Sequence, residues 1–154
     1  MKDQLPKLGL FVLRAVIGLV FAGHGWRKFF ADDAAKVFEN LRAFAAYLES
    51  VKVPAPEATA WFVATVYLLG GLLLLLGVAS RLQAALLACV IGTATFYVHL
   101  GQGFFQKVVS GQIAGAEYAL VMLAGCVCLA LAGGGMLELF PFPKGKTGKE
   151  SAKK

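Results

Sequence analysis

The chain has 154 residues, of which 58% are apolar and only 16% are charged, and it carries a formal net charge of +6. Soluble domains usually carry about 25% charged residues. This composition excludes a disordered chain and a nucleic-acid-binding domain, because both need far more charge. The length allows one domain.

Four apolar stretches predict four transmembrane helices, because about 20 residues at 1.5 Å each cross a hydrocarbon core of about 30 Å. The segment Leu68–Val78 (LLGGLLLLLGV) has no polar face, which disfavours a soluble helix bundle. The first stretch is too long for the apolar region of a signal peptide, so we expect it to be retained. The spans are expected at residues 8–30, 58–79, 82–101 and 116–137, within a single membrane domain over residues 1–143.

Residues 33–52 predict an amphipathic helix between the first two spans. Its apolar stripe, at helical spacing, consists of Val37, Leu41, Phe44, Leu48 and Val51. Such a helix lies at the membrane interface or covers one end of the bundle as a lid. The predicted fold class is therefore an all-α membrane protein, a four-transmembrane-helix bundle with an amphipathic interfacial helix between spans 1 and 2.

The basic residues predict the orientation. The side that holds both termini carries nine Lys and Arg residues, including those of a Lys-rich tail at residues 144–154, and the opposite side carries six. By the positive-inside rule, both termini then lie in the cytoplasm, and the protein is a multi-pass protein of a bacterial-type inner membrane. The opposite, outer side also carries six acidic residues, so its formal charge is zero. The net charge of +6 therefore belongs to the inner side.

Ionisable side chains within the spans are costly, at about 2.5–3.5 kcal/mol each near the bilayer centre on insertion scales, and therefore indicate a functional or structural role. One face of the first span carries Arg14, Gly18, Phe21, Gly25 and Lys28, with His24 at its edge. The glycines on this face predict that a neighbouring helix approaches closely.

A polar layer is predicted near the outer end of the bundle. Lys28, His24, His99 and Glu117 all fall at that level. A Lys–Glu pair would offset the cost of burial, and two histidines could transfer protons near neutral pH. The alternative is that these side chains only reach the headgroup level, as long basic side chains commonly do.

Other kinds of site are disfavoured. Two histidines and one glutamate lack the helical spacing of metal ligands, so no metal site is expected. There is also no haem or flavin motif. The three cysteines, Cys89, Cys126 and Cys128, include no C-x-x-C pair and are interpreted as small apolar packing residues.

Several motifs, in their order and spacing, resemble the DoxX-like family of membrane proteins over about residues 8–135. They are Arg14-x-x-x-Gly18-Leu19-x-Phe21-x-x-His24-Gly25-x-x-Lys28; Leu69-Gly70-Gly71 with Gly77 and Arg81-Leu82; Tyr97-x-His99 with Phe104-Phe105; and Glu117-Tyr118-x-Leu120. The resemblance implies a four-helix inner-membrane protein. Some members of the family are subunits of thiosulfate:quinone oxidoreductase.

From this resemblance we expect a subunit of a membrane oxidoreductase system that binds a quinone or another small substrate from the outer side, together with a partner oxidoreductase subunit. The catalytic residues would be His24, Lys28, His99 and Glu117, and the binding residues would be Arg14, Tyr67 and Tyr118. One alternative is a non-catalytic scaffold or assembly protein. The other is a small-solute transporter, for which Arg14 is the only deep charge.

Two positions depart from the family pattern. Relatives usually carry Glu where this chain has Tyr67, and their fourth span usually ends in Gly-x-Gly followed by a polar pair, whereas here Gly133-Gly134-Gly135 leads into Met136-Leu137-Glu138. The loss of an intramembrane carboxylate weakens the case for proton or quinol chemistry. A phenol could still donate a hydrogen bond to a quinone carbonyl.

Overall fold

The computed structural model describes residues 4–30, 36–99, 101, 103–105, 107–109 and 112–140. The predicted all-α membrane bundle is confirmed. The Lys-rich tail at 144–154 and the acidic pair Asp32 and Asp33 lie outside the described residues, as does the side chain of His99.

Four helical spans and a lid helix make up most of the described residues. Span 1 is α1 (Gln4–Phe30), and span 4 is α6 (Glu117–Ala132). Span 2 contains α3 (Pro56–Thr65), a π-helical segment (Val66–Gly70) and α4 (Gly71–Leu76). Span 3 contains α5 (Ser80–Ala94) and a second π-helical segment (Thr95–His99). The lid helix is α2 (Val37–Ser50).

Three of the spans are long and apolar enough to cross a membrane: Gln4–Phe30, Pro56–Leu76 and Ser80–Val98. The fourth, Glu117–Ala132, is shorter and ends five residues before the expected boundary at residue 137. The cause is the glycine run, because Gly133 and Gly135 adopt positive φ angles of 95° and 81°. This conformation ends the helix and is easily adopted only by glycine.

Spans 1 and 2 pack closely through glycines, as the sequence predicted. A Cβ atom at Gly25 would collide with the backbone of Leu68, and one at Gly71 would collide with the backbone of Ala22. At Gly18 the same atom would lie 2.8 Å from the backbone nitrogen of Leu75. Small residues that bring two backbones together are a common means of holding helices together in lipid, where the hydrophobic effect does not drive association.

The hydrophobic core lies between the four spans. Its fully buried side chains include Leu74 from span 2, Leu87 from span 3 and Leu129 from span 4, and Phe21 of span 1 is only 2% exposed. Cys126 is part of this core, and Cys89 and Cys128 are exposed; all three cysteines are free.

The lid helix covers one end of the bundle, which we call the lid end. Leu41 and Leu48 of the predicted stripe are buried, and the lid packs against spans 1 and 2. Ala45 and Leu48 form a second small core with Ala60 of span 2. An amide hydrogen bond from Asn40 Nδ2 to the Phe29 carbonyl oxygen, at 3.1 Å, fixes the lid to the end of span 1.

The opposite end, which we call the turn end, is closed by the C-terminal loop, residues 133–140. Its last described residue, Phe140, exchanges backbone hydrogen bonds with the turn between spans 2 and 3: Ala79 N–H donates to Phe140 at 3.0 Å, and Phe140 N–H donates to Gly77 at 3.3 Å. The loop also contacts span 1, since Met136 N–H donates to Lys7 at 3.3 Å. The loop therefore links spans 1, 2 and 3.

A short antiparallel hairpin between spans 3 and 4 was not predicted. It pairs β1 (Lys107–Val109) with β2 (Gln112–Ala114). After it, the N–H groups of Ala116 and Glu117 donate to the carbonyl oxygens of Gly103 and Phe104 at 3.0–3.1 Å. These bonds satisfy the first free donors of α6, which need partners outside the helix.

Candidate site beneath the lid helix

The ammonium group of Lys28 lies beneath the lid helix between two aromatic rings. Its Nζ atom is 3.4 Å from the ring centroid of Phe44 and 5.9 Å from that of Tyr67. A cation over an aromatic face is attracted by the ring quadrupole, by about 2 kcal/mol or more where water is excluded. Span 1 thus supplies the charge, and the lid and span 2 supply its aromatic surroundings.

Tyr67 lies in the π-helical segment Val66–Gly70 and is 8% exposed. Its ring packs edge-on against Phe21 of span 1, at a centroid distance of 4.9 Å. A π-helical turn holds an additional residue and shifts the side chains around it, and such turns are frequent at functional sites. Here the turn holds Tyr67 against span 1.

His24 and Tyr118 form the second half of the site. The Tyr118 hydroxyl lies 3.4 Å from His24 Nε2, which joins span 4 to span 1 one helical turn from Lys28. His24, Lys28, Phe44, Tyr67 and Tyr118 therefore make up one group, which we call the lid-end cluster.

The structure brings some of the predicted site residues together and separates others. His24, Lys28, Tyr67 and Tyr118 meet in the lid-end cluster. Glu117 begins α6 next to Tyr118 and is half-buried. His99 ends the second π-helical segment, at the end of span 3 that precedes the hairpin.

Arg14 lies away from this cluster, at the turn end. It is 14 residues from Lys28, or about 21 Å along α1, and is only 1% exposed. Its guanidinium donates to the carbonyl oxygens of Gly134, Met136 and Leu137 at 3.0, 3.1 and 3.1 Å. These are backbone groups of the C-terminal loop, so the described contacts of Arg14 are structural.

The lid-end cluster combines three chemical properties. Lys28 offers a positive charge held by aromatic rings, Tyr67 and Tyr118 offer hydroxyl donors, and His24 can accept or donate a proton. Aromatic surfaces with a few polar groups are typical of sites for small, planar, partly apolar molecules.

The model of the DoxX family matches residues 9–100, which is more than half of the chain. The chain belongs to the DoxX family. The matched range includes most of span 1 and all of the lid helix, span 2 and span 3. It therefore contains His24, Lys28, Phe44 and Tyr67, while Tyr118 lies beyond it.

The DoxX chain is also similar to a curated protein of Bacillus subtilis (strain 168) that bears the name "Putative oxidoreductase CatD". The two are 28% identical over 141 residues, which cover 91% of each chain. No solved structure matches the chain.

One member of the cluster was missed by the sequence analysis as a site residue. Phe44 was assigned to the apolar stripe of the lid, and it does face inward, but its ring covers the ammonium of Lys28. The sequence did contain a signal for this contact. If residues 33–52 cover the bundle as a lid, the inward-facing Phe44 lies above Lys28 at the end of span 1.

Proposed function

We propose that this DoxX-family protein is a membrane subunit of an oxidoreductase system and binds a quinone or a similar small planar molecule at the lid-end cluster. The observation that carries the proposal is the position of Lys28, a cation beneath the lid between the rings of Phe44 and Tyr67. The name of the Bacillus subtilis relative supports the oxidoreductase class.

The residues of the cluster fit such a ligand. When bound, a quinone supplies the electron-accepting chemistry. No redox group is identified among the described residues of the chain. Lys28 would provide positive charge to an oxygen of the ligand, and the hydroxyls of Tyr67 and Tyr118 would donate hydrogen bonds to it. His24, which contacts Tyr118, would hold the proton to be transferred. Electrons would come from a partner subunit.

The alternative of a small-solute transporter requires a path through the bundle to the inner side, and Arg14 was the only deep charge that could line such a path. Since the guanidinium is almost fully buried and donates to three carbonyl oxygens of the C-terminal loop, it does not line an open path in the described structure. The scaffold alternative is distinguished from ligand binding by the following experiment.

Replacing Lys28 by methionine is expected to weaken quinone binding about 10-fold or more, because a hydrogen bond to a charged group contributes about 1.5–3 kcal/mol. Methionine has a similar length and no charge. The measurement is a titration of the detergent-purified protein with a short-chain quinone, together with extraction of quinone that co-purifies. Proteins that co-purify are identified in the same preparation, which tests for the partner subunit.

The matched control is Arg27→Met, which removes a neighbouring and exposed charge that contacts no ring of the cluster among the described residues. It should bind quinone as the wild type does. If wild-type protein binds no quinone, and Lys28→Met changes only the thermal stability, the cluster is structural and the scaffold alternative holds.

We further propose that both termini face the cytoplasm of a bacterial-type inner membrane and that the lid end faces outward. The support is the excess of basic residues on the turn-end side, nine against six. A fluorescent protein fused after residue 154 should therefore fluoresce, whereas alkaline phosphatase fused there should be inactive. Phosphatase activity at that position would reverse the proposed orientation and place the lid in the cytoplasm.

A further inference from the structure

Five aromatic rings form a continuous series at the lid end and share no residue with the lid-end cluster. The centroid distances are 4.2 Å for Trp26–Phe30, 6.1 Å for Phe29–Phe30, 6.1 Å for Phe29–Trp61 and 5.7 Å for Phe38–Trp61. These are ordinary distances for paired aromatic rings. The series, which we call the five-ring cluster, joins span 1, span 2 and the lid helix.

The five-ring cluster is largely exposed. Trp26 is 56% exposed, Trp61 is 42% exposed and Phe38 is 72% exposed. Phe38 does not belong to the stripe of the lid that packs on the bundle. Its exposure therefore does not result from loose packing of that stripe. A contiguous exposed aromatic surface of this kind indicates that something binds there.

The position of the two tryptophans along their helices indicates what the five-ring cluster binds. Trp26 lies four residues from the end of α1 and Trp61 five residues from the start of span 2, about 6–8 Å inside each helix end. Tryptophan is enriched at this level in membrane proteins, because its ring is apolar and its N–H is polar. Trp26 also continues an exposed stripe of span 1, with Val12 and Leu19 at intervals of seven residues. The cluster is therefore an extension of the surface that faces lipid.

We propose that the five-ring cluster binds the interfacial layer of the bilayer and thereby anchors the lid helix to the membrane. The lid is then held at two places. Phe38 near its N-terminus contacts Trp61 within the lipid-facing cluster, and Leu48 near its C-terminus packs on the protein with Ala60. Phe44, which covers Lys28, lies between these two places. The anchor does not depend on the ligand, so it can be tested without a quinone.

The two tryptophans of the chain both belong to this cluster, so tryptophan fluorescence, excited at a wavelength that tyrosine does not absorb, reports on it alone. The protein is reconstituted into vesicles of phosphatidylcholine brominated either near the headgroup or near the chain ends. We expect the lipid brominated near the headgroup to reduce tryptophan emission by about half and the other to reduce it far less, because interfacial tryptophans lie at headgroup depth. Trp26→Phe and Trp61→Phe assign the effect to each ring.

Two results would overturn the anchor. Strong quenching by aqueous iodide with none by brominated lipid would mean that the cluster faces water. Quenching by neither would mean that protein, such as a second copy of the chain, covers it.

The effect on the lid is measured by hydrogen–deuterium exchange of residues 37–50 in nanodiscs. Phe38→Ala should raise the exchange rate of this helix several-fold, whereas Tyr47→Ala should leave it unchanged. Tyr47 is the matched control, because it is an exposed ring on the same helix with no ring partner among the described residues. Equal exchange in both variants and the wild type would show that lipid contact does not hold the lid.

Discussion

Replacing Arg14 by methionine is expected to destabilise the protein by about 3 kcal/mol or more, the largest effect of any single charged residue. The change removes the donors of three hydrogen bonds to the carbonyl oxygens of Gly134, Met136 and Leu137. A hydrogen bond to a charged group contributes about 1.5–3 kcal/mol, and a carbonyl left buried without a donor adds a further cost. The C-terminal loop should then detach from the turn end.

Lysine at position 14 should not restore this stability. A guanidinium presents several donors in a fixed planar arrangement and reaches three carbonyl groups at once, whereas a lysine ammonium is a compact point charge on a flexible chain. Arg14→Lys is therefore expected to keep less than half of the stabilisation. Unfolding in detergent gives the free energy, and hydrogen–deuterium exchange of residues 133–140 shows whether the loop detaches.

Arg81→Lys is the matched control. Arg81 also lies at the turn end, but it is exposed and donates one long bond, 3.4 Å, to the Ala132 carbonyl oxygen. Its replacement should change stability by less than about 0.5 kcal/mol. If Arg14→Met leaves both the unfolding free energy and the exchange of the loop unchanged, the hydrogen bonds of Arg14 do not hold the turn end together.

Gly25→Ala and Gly71→Ala are expected to produce the second large loss, about 1–3 kcal/mol each, as overpacking of a tight contact does. One methyl group at Gly25 would meet the backbone of Leu68, and one at Gly71 would meet the backbone of Ala22. A backbone cannot move aside as a flexible side chain can, so spans 1 and 2 must separate. This separation would also displace Lys28 relative to Tyr67.

Gly23→Ala provides the control within the same helix. No atom lies within 4 Å of a Cβ atom built at this position, and Gly9 is equally open. Alanine favours a helix over glycine by about 0.5–1 kcal/mol, so the control variant should be as stable as the wild type or slightly more stable. Thermal unfolding of the three variants and the wild type in one detergent compares them directly. A loss for Gly23→Ala equal to that for Gly25→Ala would show that glycine acts through helix flexibility and not through close packing.

The features that follow a helical period could be predicted from the sequence. The face of span 1 that contains Arg14, Gly18, Phe21 and Gly25 is the buried face in the structure. The stripe of the lid helix likewise faces the bundle. Both predictions rest only on 3.6 residues per turn and on the cost of exposing or burying side chains.

The features that depend on distant parts of the chain could not be predicted. The partners of Arg14 are backbone carbonyl groups about 120 residues later in the chain. Every residue has a backbone carbonyl, so the sequence does not indicate which of them accepts a hydrogen bond. The π-helical segments are also invisible to a periodic pattern, since they shift it by one residue. The sequence analysis grouped Arg14 with Lys28 because they share one face of span 1; in the structure Arg14 contacts the C-terminal loop, whereas Lys28 lies beneath the lid helix.

The bonds of Arg14 to the C-terminal loop have a consequence for biosynthesis. Arg14 enters the membrane early during translation, but its three acceptors are synthesised only after span 4, when the ribosome has reached residue 137. Until then the guanidinium must be accommodated by water, headgroups or the insertion machinery. Closure of the turn end is therefore a late step of assembly, and a chain that stops before residue 134 leaves the first helix with an unsatisfied charge.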